Sequence, residues 1–244
     1  NMQSLKNKVI LITGANRGIG KSLVKASLEK GAHKIYATSR DLSKMPDFED
    51  DRVIPLELDI TNSNQISKVA EMTKDTQVLI NNAGILSQGN VLDGKMSSIE
   101  NDIDTNYYGT VNMMRAFAPV LEKNTPAKIV NIISIVAYSS LPTIAGYSAS
   151  KTALFSATQS VRIELAKKGI TVHAINPGAI DTDMNVGSDL DMPAPDGVAK
   201  VILNEVETGK LDIVPDEMGQ GMFNAWKESP SKLAEIFHNI YHGE

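Results

Sequence analysis

The chain has no cysteine among its 244 residues, which excludes a disulfide framework and a thiolate zinc site and suits a reducing cytoplasm. Histidine is nearly as scarce. Of His33, His173, His238 and His242, only the last two have the i, i+4 spacing that puts both rings on one helical face. They lack a third or fourth donor, so no metal site is expected. Long apolar runs are missing as well. No stretch approaches the roughly eighteen residues of a membrane span, and the polar segment Asn1 to Lys8 has no signal-peptide core. Basic residues are dispersed, and the net charge is -5. Binding a nucleic acid calls for clustered lysine and arginine, so neither a nucleic acid nor a membrane is expected as a partner.

What is present is apolar material in short, regularly spaced pieces. With 42% hydrophobic residues, the chain can bury one substantial core, and a single domain over 1–244 is expected. The runs Val9 to Ile12, Lys34 to Thr38, Val53 to Leu58, Val78 to Ile80, Ile129 to Ile133, Thr171 to Ile175 and Leu211 to Val214 read as seven buried strands. Between them, 19 to 30, 63 to 74, 98 to 122, 147 to 168 and 196 to 207 read as helices. Such alternation predicts a doubly wound, Rossmann-type α/β fold, a parallel seven-stranded sheet with helices on both faces. Ligands of such sheets gather at the carboxyl ends of the strands.

Two segments fall outside the alternation. Residues 178 to 197, with two prolines, three glycines and five aspartates, form a candidate substrate lid, with an ordinary surface loop as the alternative. Residues 216 to 242 read as a helical tail carrying Trp226, Leu233 and Phe237 at helical spacing. The tail either caps the site, packs on a second subunit, or packs on its own domain.

The first strand runs into Thr13-Gly14-Ala15-Asn16-Arg17-Gly18-Ile19-Gly20 and then a helix. Glycines at 14, 18 and 20 let the backbone turn tightly and approach a pyrophosphate at the helix amino terminus. The spacing differs from Gly-x-Gly-x-x-Gly, and that fingerprint is not claimed. The second strand ends in Ser39-Arg40, followed by Asp41. An arginine there suits a ribose 2'-phosphate and an acid suits a 2'-hydroxyl. Arg40, approached from the other side by Arg17, favours NADP; the competing reading has Asp41 reach back to a hydroxyl.

Tyr147 and Lys151 lie four residues apart, with Ser134 thirteen residues before the tyrosine. On a helix the phenol and the amine share a face, where a positive charge eases ionisation of the phenol. Ser134 follows an apolar strand, so its hydroxyl is expected at the strand's carboxyl end, beside a substrate oxygen. Tyr107, Tyr108 and Tyr138 have no lysine four residues on. Serine hydrolysis is not supported: Ser134 lacks a Gly-x-Ser-x-Gly elbow and a histidine placed as its base.

Together with Asp59 after the third strand, Asn81-Asn82-Ala83-Gly84 after the fourth, Asn106 and Pro177-Gly178, these residues resemble the short-chain dehydrogenase/reductase family, in order and spacing, over about 6 to 215. The resemblance implies an NADP-dependent oxidoreductase that interconverts a carbonyl and an alcohol. It implies that Gly14, Asn16, Arg17, Gly18, Ile19 and Gly20 cradle the phosphates, with Ser39 and Arg40 at the 2'-phosphate. Asp59 and Ile60 would contact the adenine, and Asn82, Ala83 and Gly84 would line the nicotinamide ribose. Pro177, Gly178, Ile180 and Thr182 would hold the nicotinamide. Tyr147 would be the acid/base and Lys151 would lower its pKa while holding the ribose hydroxyls. Asn106 would bind a water that links the lysine to solvent.

The family's usual assembly implies a homodimer or homotetramer, and the tail departs from its short glycine-rich ending. Leu86, Ile135, Val136, Ile144 and Met184 suggest an apolar pocket for a small-molecule aldehyde or ketone. A non-catalytic, nucleotide-binding or regulatory member is the alternative; such proteins often lose the tyrosine or the lysine, and both are present here.

Overall fold

The computed structural model describes residues 3–185 and 190–244. Seven parallel strands, β1 (Val9–Ile12), β2 (Lys34–Ser39), β3 (Val53–Glu57), β4 (Val78–Asn81), β5 (Ala127–Ile132), β6 (Ile170–Ile175) and β7 (Asp212–Ile213), form one sheet in the order β3-β2-β1-β4-β5-β6-β7. The order reverses at β1, which pairs with β2 on one side and β4 on the other, with Ile12 opposite both Ala37 and Ile80. That reversal opens a crevice at the carboxyl ends of β1 and β4.

Helices α1 (Gly18–Glu29) and α6 (Pro195–Thr208) cover one face, and α2 (Ser63–Met72), α4 (Thr110–Lys123) and α5 (Ala145–Leu165) the other. The faces divide the core. Ile10, Ile12, Leu23, Val24, Ile202 and Val206 pack on the first side, whereas Leu11, Leu79, Met113, Phe117, Leu121 and Leu154 pack on the second. Successive strand residues point to opposite faces, so a strand buried on both sides must be apolar throughout.

Three expectations need correction. β3 is not a buried strand but the sheet edge: Ile54, Pro55 and Glu57 are exposed, and an edge position is where a strand tolerates proline's missing N–H. The helix expected over 98 to 122 is three pieces, α3 (Met96–Asp102), a π-helical stretch Ile103–Gly109, and α4. The tail is two helices, α7 (Glu217–Glu228) and α8 (Pro230–His242), broken where Pro230 cannot continue a helix but can start one.

Within the expected lid, Asp183–Asn185 forms a short 3-10 turn and 195–197 already belongs to α6; 186–189 lies outside the described residues. No helix among the described residues is long and apolar enough to cross a membrane. The rings of His238 and His242 stand 4.5 Å apart, and no group of three or more metal-ligating side chains occurs among the described residues.

Candidate active site

The glycine turn is shaped from behind. Gly14 and Gly18 have φ of +63° and +55°, a region that side chains disfavour. A Cβ on Gly20 would fall 2.0 Å from the Gly14 carbonyl oxygen, so any side chain there would displace the turn. Asn82, at the end of β4, donates its Nδ2 hydrogens to the carbonyls of Thr13 (3.2 Å) and Gly14 (3.1 Å). The Thr13 hydroxyl oxygen accepts the N–H groups of Asn82 and Ala83, each at 3.0 Å. This clasp joins the ends of β1 and β4. α1 then begins at Gly18 with no side chain capping its first turn, which leaves free N–H groups and the positive end of the helix for an anion. Asn16 and Ile19 flank this turn, half-buried.

At the end of β2, Ser39 is buried and its hydroxyl donates to the Asp41 carbonyl at 3.0 Å. The Asp41 carboxylate accepts from the Ser43 N–H (3.0 Å) and hydroxyl (2.6 Å). These bonds hold its pKa below the usual carboxylate range. Arg40 is exposed and has no ion pair among the described residues. Arg17, also exposed, lies 3.8 Å from Asp183 of the loop after β6. Asp59 accepts from the N–H and hydroxyl of Thr61. The Ile60 and Ile180 side chains are buried in the core.

The loop after β6 is held close to the cradle. A Cβ on Gly18 would lie 3.3 Å from the Thr182 methyl. The Pro177 carbonyl accepts from Ile135 N–H at 2.9 Å, and Gly178 N–H donates to Asp216 Oδ1 at 2.8 Å. Asp216 also caps α7 by accepting from Gly219 N–H at 2.9 Å, so one carboxylate fixes both the loop and the tail.

Ser134, Tyr147 and Lys151 are all buried. Ser134 opens a 3-10 turn, its hydroxyl accepting Val136 N–H at 3.3 Å. Tyr147 and Lys151 lie one turn apart at the start of α5, with the lysine Nζ 5.6 Å from the phenol ring centroid. Nζ donates to the Ile132 carbonyl at 3.1 Å. Burial dominates both titrations. It pushes the phenol up to about 12, the Ser134 hydroxyl opposing and Asp102 adding; it brings the ammonium down to about 8, Asp102 opposing. The protein's own groups thus leave the phenol raised.

Asn106 sits in the π-helical stretch, a departure from regular helix that recurs at functional sites. Its Oδ1 accepts Ile85 N–H at 2.8 Å, and its Nδ2 donates to the Ile85 carbonyl at 2.8 Å and to Ser150 Oγ at 2.9 Å. Both amide hydrogens are used. Only Oδ1 retains capacity, facing Gly84, where a Cβ would lie 3.0 Å from Oδ1 and 3.6 Å from Lys151 Nζ.

Comparison with known proteins agrees with this geometry. The family model described as short chain dehydrogenase matches residues 8–192. The chain belongs to the short-chain dehydrogenase/reductase family. An uncharacterized oxidoreductase of Staphylococcus saprophyticus is 32% identical over 199 residues, covering 77% of this chain and 85% of its own. A short chain dehydrogenase from Burkholderia cenocepacia, solved in complex with NADP, superposes with a TM-score of 0.92 at 35% identity, over 96% of this chain and 98% of its own. A Burkholderia phymatum relative solved with NAD has a TM-score of 0.82 at 21% identity, covering 92% and 94%, and supports the fold. The chain is thus an oxidoreductase of this family, and the free helix end and the glycine cradle fit the phosphates of a dinucleotide.

The family match stops before α6, so the tail falls outside it. α7 and α8 cover the site. Leu233 and Phe237 are buried against Ile135, Val136 and Tyr147, with Leu86 and Ile144 packed on the same cluster. Met184 is exposed and is not part of it. Tyr138 packs on the same cluster and joins an aromatic group with Phe155, Phe223 and Trp226.

Sequence reading missed Thr13, Asp102, Ser150 and Asp216. None has a distinctive spacing, and each acts through a bond to a distant segment. Thr13 and Ser150 adjoin recognised motifs, which was the available signal.

Proposed function

We propose that the chain is an NADP(H)-dependent oxidoreductase that interconverts an aldehyde or ketone with an alcohol, Tyr147 serving as acid/base. The observation that carries this reading is the burial of Tyr147 and Lys151 one helical turn apart beside Ser134. A bound NADPH would supply the hydride and, once oxidised, a positive ring that favours the phenolate. Tyr147 would give its proton to the substrate oxygen, and the Ser134 hydroxyl would orient that oxygen and steady its developing charge. Lys151, anchored by the Ile132 carbonyl, would hold ribose hydroxyls with its remaining hydrogens. Asn106 would brace the Ile85 backbone and offer Oδ1 to a water.

The preference for NADP is supported by Arg40, exposed at the end of β2, and by an Asp41 carboxylate already engaged by Ser43. Arg17 would exchange Asp183 for the 2'-phosphate. Gly14, Asn16, Gly18, Ile19 and Gly20 would hold the pyrophosphate. Ser39, Asp59 and the Ile60 backbone would border the adenosine. Asn82, Ala83 and Gly84, with Pro177, Gly178, the Ile180 backbone and Thr182, would enclose the nicotinamide riboside.

The apolar cluster around Tyr147 favours a substrate with an apolar body. Exposed Tyr108 and Ile163, on the long-helix side, are consistent with a homodimer or homotetramer, which light scattering would size. A panel of aldehydes and ketones assayed by NADPH absorbance, repeated with NADH, tests the reading. Reduction of apolar carbonyls with NADPH is expected; no turnover across the panel would refute it.

A further inference from the structure

Asp102 is fully buried at the end of α3, and the mechanism above gives it no task. Ser87 N–H donates to its Oδ1 at 3.0 Å. Its Oδ2 has no hydrogen-bond partner among the described residues. That oxygen faces the first turn of α5: a Cβ on Gly146, the residue before Tyr147, would lie 3.1 Å from it. A buried carboxylate oxygen without a partner is costly unless opposite charge lies near. The compensating charge is supplied by the positive end of α5 and by the Lys151 ammonium.

We propose that Asp102 is a positioning residue for the proton donor: its buried carboxylate, set against the first turn of α5 beside Gly146, tunes proton delivery by the Tyr147–Lys151 pair. The proposal rests on the oxidoreductase reading. Reduction needs the phenol with its proton, and oxidation needs the phenolate. A carboxylate beside the pair disfavours the phenolate and favours the ammonium.

The titrations agree in direction. Asp102 adds to the rise of Tyr147 and opposes the fall of Lys151. Its own carboxyl is raised by burial, while Ser87 and Lys151 favour the ionised form. The groups facing this cluster are Tyr147 and Lys151 from α5, Ser134 from the turn after β5, and both the hydroxyl and the N–H of Ser87 from the loop after β4. Asp102 acts on both the phenol and the ammonium, and the ammonium itself stands 5.6 Å from the phenol ring centroid.

The test uses the full chain saturated with NADP+ and labelled with 3-fluorotyrosine, whose lowered ionisation range keeps the titration within reach. The 19F resonance of Tyr147 is identified by its absence from Tyr147→Phe. Asp102→Asn removes the charge and keeps an acceptor for Ser87. Tyr147 is expected to ionise about one pH unit lower in this variant, which should still bind NADP+. The alkaline limb of the reductase pH profile should fall by the same interval. An unmoved Tyr147 titration in folded Asp102→Asn overturns the proposal, as it would if Asp102 were already neutral. Asp102→Ser, also uncharged and an acceptor, replaces a variant that does not fold, and failure of both marks a structural ion and overturns it too. Wild-type protein without carbonyl turnover would sink the oxidoreductase reading instead, and the titration would still be readable.

Discussion

Asn106 and Ser150 share a buried hydrogen bond of 2.9 Å, and Ser150 in turn donates to the Tyr147 carbonyl at 2.7 Å. The π-helical stretch and the start of α5 are therefore one braced unit, with the Ile85 backbone as its third side. Asn106→Ala would leave the Ile85 N–H, the Ile85 carbonyl and Ser150 without their partner. The expected loss of stability is about 1–3 kcal/mol, read by urea unfolding, together with reduced turnover. A variant as stable as wild type would show that the brace contributes nothing.

Tyr147→Phe removes the phenol hydroxyl and keeps the ring packed against Leu233 and Phe237. Turnover should fall by about 10²–10⁴-fold, the range of general acid catalysis. NADPH affinity, followed by fluorescence, should stay close to wild type. Undiminished turnover would remove Tyr147 from the chemistry.

Arg40→Glu replaces the exposed guanidinium at the end of β2 with a charge that repels phosphate. The loss of one charge-assisted hydrogen bond, about 1.5–3 kcal/mol, corresponds to at least about tenfold in affinity for NADPH. NADH should be affected little. Equal losses for the two nucleotides in steady-state assays would take Arg40 away from the 2'-phosphate.

His173 on β6 supplies a test of pH dependence remote from the active site. Its Nδ1–H donates to the Lys210 carbonyl at 2.6 Å, and its Nε2 has no partner among the described residues. Burial, aided by Lys128 and Arg162, brings its pKa down to about 4, the Lys210 carbonyl opposing. The folded value lies below the unfolded one, near 6.5. The neutral ring's contribution is whole above about 6.5 and is lost as pH falls through the window to about 4. About 3 kcal/mol should disappear over that window, measured by urea midpoints at successive pH values. His173→Gln should flatten that part of the profile, and an equally steep profile in the variant would contradict the assignment.

The strands were legible because most are buried on both faces, so their apolar runs have no polar interruption. β3 misled for a physical reason: an edge strand keeps a hydrophobic look while Ile54 and Pro55 face water. The polar positions Ser134, Tyr147 and Lys151 were legible from spacing, because a helix turn and a strand end translate directly into distance. Asn106 was found by family resemblance, yet its π-helical setting depends on contacts with Ile85 and Ser150 that no local pattern encodes. Asp102 carries no signal in the sequence, and only the packing of α5 reveals it as buried. The tail's role was left open because amphipathic helices carry the same pattern whatever they cover.

The Asn82 clasp on the glycine turn bridges residues 68 apart in the chain. The three glycines are synthesised early, but the carbonyls that shape their turn are held only once β4 has joined the sheet beside β1. During growth of the polypeptide the cradle therefore exists first as a loose turn and gains its brace in a single non-local step. The brace behind the glycine turn is complete only when the fourth strand is in place. Cofactor added during refolding can stabilise only those molecules whose sheet has already closed at its middle.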